Sequence, residues 1–486
     1  MTRQRTHAAL VGLATAFFSL SPAAARATVP PPLQPYMSQT AHGYRNGNAR
    51  AVPEQPWWTA FKEQKKLRGL IEQALRTNFD LGAATARIVQ AEALATQARA
   101  PLFPSLSVNL SVQASPLESV GFQFGGAGPS PGGPGPELPD VFYSGSAVLN
   151  ARYGLDVWGR QYLQYRASEL TAVARRMNRD EFAARLAVQV AEAYFDAVAT
   201  AQQKAITKQQ IDVNASLLEL TQLRFEKGEA SSLDVYQQRQ QLAAAEARLP
   251  PIKANLRVFK QRLNVLVGNS PSESLVAVPD TLPQLPEPPG TGRPRDLLQN
   301  RPTLRAARAQ YEAAVARRKS SVRALFPSMS IGGQAGWQAV KLDELNSQQF
   351  WGANASISLP LFQGLRNWGR IEQNAGAATE AAQTLGQQWL QAVRDVESAL
   401  VQQQERRREL DAVRQQLEAA RLAYQKARER YAKGLVDYLP LLTALNTRQS
   451  AELTLIRAKR ALLSARLRLY QALGGTWIGD LTGDVS

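Results

Sequence analysis

Ser328-Met329-Ser330-Ile331-Gly332-Gly333-Gln334-Ala335-Gly336-Trp337-Gln338-Ala339, entered through Leu325-Phe326-Pro327, decides the fold. Upstream the apolar residues recur with a helical period of about 3.6; past Pro327 the period drops to about 2. Met329, Ile331, Ala335, Trp337 and Ala339 alternate with Ser330, Gly332, Gln334, Gly336 and Gln338. That pattern is a strand with one apolar and one polar face. The same text stands earlier in the chain. After Leu102-Phe103-Pro104-Ser105, residues Leu106, Val108, Leu110 and Val112 alternate with Ser107, Asn109, Ser111 and Gln113.

Each of these strands has a partner. Val141 to Val157 carries Ala147, Leu149, Ala151, Tyr153 and Leu155 on one side and Asn150, Arg152, Gly154 and Asp156 on the other. The four strands are expected at about 105–114, 141–157, 328–340 and 348–362. Between the first two, residues 115–140 are rich in Gly and Pro and read as a long exposed loop. Helices surround the strands. Leu67, Leu70, Ile71, Ala74 and Leu75 form one apolar face, and an alanine-rich helix follows to about Ala100. From about 160 to 227 neither Pro nor Gly interrupts the chain, which gives a helix of about 100 Å that ends at Gly228. A return helix starts near Leu233, and Pro250-Pro251 is expected to break or kink it.

The second half repeats the first. Asn78-Phe79-Asp80-Leu81 corresponds to Arg301-Pro302-Thr303-Leu304, and Phe103-Pro104 to Phe326-Pro327, at a constant offset of 223. Arg224-Phe225-Glu226-Lys227-Gly228 corresponds to Arg430-Tyr431-Ala432-Lys433-Gly434 at an offset of 206, which Leu263/Leu469 and Gly268/Gly474 share. Register held over so long a stretch marks an internal duplication. The expected organisation is a signal peptide at 1–27, an extended arm and helix start at 28–66 and a first repeat at 67–269 with its tip near 228. A Pro-rich equatorial linker at 270–300, a second repeat at 301–475 with its tip near 434, and a tail at 476–486 complete the chain.

Residues 1–27 have a basic end at Arg3 and Arg5, an apolar run from Ala8 to Leu20, and Ala25-Arg26-Ala27 as a small-residue cleavage site. The run is too short to span a bilayer. There is no cysteine, hence no disulfide, thiolate site or N-terminal lipidated cysteine. Of the formal charge of +17, three units belong to Arg3, Arg5 and Arg26, leaving +14. Export argues against nucleic acid as the partner for that charge. His7 and His42 are the only histidines, so no Ser-His-Asp set can be assembled; no metal-ligand cluster stands out in the sequence either, and no cofactor is expected.

One chain offers four strands, too few to close a barrel, and an open sheet with an apolar face leaves exposed edges. Backbone groups at bilayer depth must all be paired, so closure needs several chains. Two chains would give eight strands and a filled interior; three give twelve and a lumen, and three are expected. Phe103, Trp158, Phe326 and Phe362 stand where strand meets helix, the level of a membrane-interface aromatic belt; the alternative is that they plug a soluble core end. The heptad-like helices suit lateral packing.

These residues resemble the TolC-like outer-membrane efflux proteins, the outer-membrane subunits of tripartite drug pumps. The resemblance rests on Trp57-Trp58-x-x-Phe61 with the Leu67 to Leu75 helix, on Asp296-Leu297-Leu298-Gln299-Asn300-Arg301-Pro302, and on the two tips. It implies a mixed α/β membrane protein: a homotrimeric transmembrane β-barrel, four strands per chain, continued by a long periplasmic α-helical barrel. It implies a periplasmic adaptor, an inner-membrane pump and outer-membrane lipid as partners, and a passive duct rather than an enzyme, conferring drug or toxin resistance. The candidate tip and gate residues are Arg224, Gly228, Asp234, Arg430, Tyr431 and Gly434. Tyr431 stands where the family has a gate tyrosine. Pro440 and Thr443 stand where its best-known member has acidic residues, and Asp234 is the counterpart in the first copy. The glycines also read as plain helix caps and the arginines as partners of the helix dipole. Two other readings stand beside the duct: the outer-membrane part of a type I protein-secretion system, and a periplasmic coiled-coil scaffold without a barrel. The positive charge suggests small anionic, aromatic acids as cargo.

Overall fold

The computed structural model describes residues 43–475 except 49, 54, 62–63, 117–140, 274–275 and 340–347. The expected signal peptide, most of the long loop and the C-terminal tail lie outside the described residues. Helix α1 (Lys65–Thr77) buries Leu67, Ile71 and Ala74, one face of its turns. Helix α2 (Phe79–Arg99) is capped by Asn78, whose Oδ1 accepts from the amides of Asp80 (3.0 Å) and Leu81 (3.1 Å). Strands β1 (Ser105–Pro116) and β2 (Val141–Leu155) follow, then α3 (Arg160–Glu226) and α4 (Ser232–Leu266). Beyond the linker come α5 (Pro302–Arg323), β3 (Ser328–Ala339), β4 (Gln348–Ser358), α6 (Arg366–Ala432) and α7 (Tyr438–Leu473).

The duplication is visible in the element lengths. Helices α3 and α6 each have 67 residues, and α4 and α7 have 35 and 36. At the head of α3, Gly159 has φ +67; at the equivalent point before α6, Leu365 has φ 65, the one non-glycine with positive φ among the described residues. Leucine there holds a left-handed backbone that the first repeat assigns to glycine.

The strands form one antiparallel sheet in the order β1-β2-β3-β4, so the two copies join at β2 and β3. The register puts Leu106, Val108 and Leu110 opposite Ala151, Leu149 and Ala147, and Ala147 and Leu149 opposite Trp337 and Ala335. The apolar face is continuous across all four strands, and it is exposed: Leu110 is 78% accessible. The other face carries Ser107, Asn109, Asn150, Gln334 and Asn354, with Ser111 bonded to Ser146 and Ser330 to Ser356, both at 2.8 Å. Strand β2 ends at Leu155 rather than 157, because Asp156 turns to accept from the first amides of α3. Strand β4 ends at Ser358 rather than 362, where Pro360 supplies no donor to the ladder.

Helix α4 does not break at Pro250-Pro251 as expected; it is continuous from Ser232 to Leu266. Both prolines and the residues whose carbonyls they release, Glu246 and Ala247, are exposed, so water can serve the freed acceptors. Half-way up the molecule α4 meets α2 end to end. The Asn78 side chain donates to the Leu266 carbonyl (3.1 Å), and Thr77 Oγ1 donates to that of Val267 (2.7 Å). Gly268 fits because a Cβ there would stand 2.7 Å from the Thr77 carbonyl oxygen; at Gly474, its counterpart, the distance to the Asn300 oxygen would be 2.5 Å. The main core lies at this level. Trp57, Trp58 and Phe61 pack with Leu67 and Ile71 of α1, Tyr194 and Phe195 of α3, and Leu463 and Leu467 of α7. Trp57 stacks on Tyr470 at 5.5 Å. Among the described residues no helix is long and apolar enough to cross a membrane.

Candidate functional site: the hairpin tips and the foot of the sheet

Each long hairpin turns in the same way. The amide of Gly228 donates to Phe225 O (3.0 Å) and that of Glu229 to Arg224 O (2.8 Å); Gly434 donates to Tyr431 O (3.0 Å) and Leu435 to Arg430 O (2.9 Å). These are paired Schellman closures, and both glycines have positive φ with open space around them. The carboxylate of Asp234 accepts from Ser231 N (2.9 Å) and Ser231 Oγ accepts from Asp234 N (3.2 Å), a capping box that starts α4. In the second copy the capping residue is Asp437, which makes no side-chain cap bond.

The two tips are not equivalent. Phe225 is about half exposed, whereas its counterpart Tyr431 is 5% exposed and packs with Leu217, Tyr438 and Leu441. The Arg224 guanidinium covers the Tyr431 ring at 4.4 Å, donates to the Tyr431 carbonyl at 2.8 Å and lies 3.5 Å from Glu229. Arg224, Tyr431 and both glycines are thus brought to one end of the molecule; Arg430 contributes its carbonyl to the turn. Burial pushes the Tyr431 phenol above its ordinary range, partly offset by the Arg224 charge. Leu223, Leu233, Leu435 and Leu439 stand exposed around this end.

Above the tip runs a buried polar seam that sequence reading missed. Tyr438 Oη donates to Gln238 Oε1. Gln238 Nε2 donates to Asn214 O (2.8 Å), Asn214 Nδ2 to Gln210 O (2.7 Å), and Gln210 Nε2 to Gln449 O (3.1 Å) and Glu452 Oε2 (3.0 Å). The signal was in the heptads. Thr207, Gln210, Asn214, Leu217 and Thr221 step by three and four and are all buried, so polar residues hold most of a seam that is apolar higher up α3. Polar groups at such positions fix register at a cost in stability.

At the foot of the sheet, Trp158 stacks on Phe326 (5.1 Å between ring centres, 25° between planes), and its Nε1 donates to Pro327 O at 2.8 Å. Phe103 lies nearby with Arg99 at 5.2 Å from its ring. Phe362 stands apart, 83% exposed, past the end of β4. Two basic runs, Arg317-Arg318-Lys319 and Arg406-Arg407-Arg408, lie on helices: Arg406 and Arg408 pair along α6 with Glu409 and Glu405, whereas Arg317 donates to Thr171.

Residues 70–269 and 294–475 match the outer membrane efflux protein family. The chain is 29% identical over 439 residues to the pyoverdine export outer membrane protein OpmQ of Pseudomonas aeruginosa, covering 90% of each. It is 26% identical to the toluene efflux pump outer membrane protein TtgF of Pseudomonas putida, covering 86% of this chain and 85% of that one. Among solved structures it resembles the outer-membrane channel OprN, with a TM-score of 0.77 at 27% identity, over 90% of this chain and 96% of that one.

Proposed function

We propose, from the premise that this chain belongs to the outer membrane efflux protein family, that three copies form the outer-membrane exit duct of a tripartite pump whose cargo is anionic, aromatic small molecules. The protein is an outer-membrane efflux channel and not an enzyme. Twelve pooled strands turn their apolar face to lipid, and the helices carry the passage through the periplasm. The hairpin ends around Arg224, Gly228, Asp234, Arg430, Tyr431 and Gly434 meet the periplasmic adaptor, with the inner-membrane pump supplying the energy. The exposed leucines at that end support this contact. Phe103, Trp158, Phe326 and Phe362 mark the level where barrel gives way to tunnel.

The cargo class rests on one observation, the net charge of +14 that remains after residues 1–27. OpmQ is named for pyoverdine and TtgF for toluene, so relatives do not share one cargo. A tunnel with excess positive charge concentrates anions and repels cations. The test is a deletion strain, with and without the restored gene, challenged with acidic and cationic toxins. Protection against the acidic set alone is expected; equal protection against both overturns the cargo assignment.

A further inference from the structure

A cavity of about 590 Å³ opens at the foot of the sheet. Ser105, Arg152, Ser330 and Ser356 enter its wall from the strands, all on the polar face by the strand register. That face lines water when the apolar face lies in lipid. The Trp158–Phe326 stack, Arg160 and Arg323 also line the cavity. Arg323 Nη1 donates to Gly159 O at 3.2 Å. Arg152 and Arg160 form no ion pair among the described residues. The single acid of the wall, Asp156, is engaged by the amides of Gln161 (2.9 Å) and Tyr162 (2.8 Å) at the start of α3. A second hollow of about 290 Å³ shares Arg160, adds Arg317 and Arg370, and contains no acid.

We propose that this cavity is a way-station for a planar aromatic carboxylate passing from tunnel to barrel. The inference rests on the anionic cargo proposed above. The carboxylate sits between Arg152 and Arg160, whose planar forks match its two oxygens. The ring lies against the half-exposed Trp158–Phe326 pair, which the bond to Pro327 holds in orientation. A station in a conduit must hold its solute weakly, so a dissociation constant of about 1 mM, or about −4 kcal/mol, is in keeping. Cations are repelled, and a saturated-ring acid keeps only the arginine half of the contact.

The test uses the full-length trimer in a planar bilayer, with 1-naphthoate added on the barrel side. Naphthoate is expected to interrupt the ionic current reversibly at millimolar concentration, cyclohexanecarboxylate less, and 1-naphthylmethylammonium not at all. Arg152→Gln and Arg160→Gln should each raise the blocking concentration about tenfold, equivalent to about 1.4 kcal/mol. Trp158→Leu should abolish the preference for naphthoate over cyclohexanecarboxylate. Trimer mass confirms assembly first; if Arg160→Gln does not assemble, Arg152→Gln and Trp158→Leu decide. An anion-selective channel whose naphthoate block ignores these substitutions overturns the station and leaves the cargo assignment standing. A cation-selective channel that naphthoate never blocks overturns both.

Discussion

The guanidinium of Arg224 lies 4.4 Å from the ring centre of Tyr431 and donates to the Tyr431 carbonyl oxygen at 2.8 Å. The contact joins the first hairpin to the second at their ends. It combines a charge-assisted hydrogen bond with a shielded cation–ring contact, together worth about 2 kcal/mol. Arg224→Ala is therefore expected to loosen the second hairpin and raise the open fraction of the channel by roughly tenfold or more. Arg224→Lys, which keeps the charge but loses the planar fork, should fall between. Single-channel recording checks it; an Arg224→Ala trace like wild type would show that the contact does not restrain opening.

Much of the fold was legible because it depends on period and repetition. The change of period at Pro327 located β3, and the offsets of 223 and 206 located its copy and the paired helices. What stayed hidden depends on neighbours. Pro250-Pro251 looked like a helix break because sequence does not show that Glu246 and Ala247 face solvent. Asp234 stands six residues past Gly228 at the tip, and its capping box appears only once the Ser231 backbone is in place. Phe225 and Tyr431 read as equivalents, yet tertiary packing buries one and exposes the other. Arg152 and Arg160 come to share one cavity wall only when β2 hands over to α3 beside β3.

Arg466 is 1% exposed and fastens the linker. Its Nη1 donates to the carbonyls of Pro286 and Glu287, both at 2.7 Å, and its Nε to Gln403 Oε1 at 2.7 Å. Arg466→Ala leaves these part-buried acceptors without their protein donor, a loss of about 1–3 kcal/mol. The linker segment 276–290 should then become sensitive to limited proteolysis while the sheet and tips stay intact. Unchanged cleavage would show that the linker is held by its apolar contacts alone.

Leu365 and Gly159 occupy equivalent places with φ 65 and +67. The left-handed backbone costs leucine about 1–2 kcal/mol, and Leu365 is exposed, so little packing is lost with its side chain. Leu365→Gly should stabilise by up to about 1 kcal/mol after the extra unfolded-state entropy of glycine. Gly159→Ala should destabilise, since its Cβ would stand 2.6 Å from Arg323 Nη1 as well as at positive φ. Denaturant midpoints of the two variants should move in opposite directions.

Burial pushes the Tyr194 phenol from 10.0 to about 12, and Tyr431 and Tyr470 move the same way for the same first cause. An unfolded tyrosine ionises near pH 10, whereas burial in the folded chain holds these phenols protonated to higher pH. The unfolded state therefore binds fewer protons in that window, and stability falls as pH rises from 10 towards 12. Each such group contributes a slope of up to about 1.4 kcal/mol per pH unit. Tyrosinate absorbance and helical circular dichroism should change together on alkaline titration, and Tyr194→Phe should shift the transition upward. Absorbance that rises fully while the helix signal persists would show that the rings ionise in place.

Leu110 and Asn109 are adjacent but lie on opposite faces of β1, opposite Ala147 and Val148 of β2. If the apolar face meets lipid, an arginine at 110 must reach through hydrocarbon, which costs about 2–4 kcal/mol near mid-membrane. An arginine at 109 faces the aqueous interior and costs little. Leu110→Arg is accordingly expected to reduce assembled trimer in the outer membrane sharply, while Asn109→Arg assembles and strengthens anion selectivity. The comparison uses one charge, one strand and one step of sequence, so depth and helix packing are nearly the same in both. The reverse result would require the sheet to close with its serine and asparagine face outward, which would expose those polar side chains to lipid.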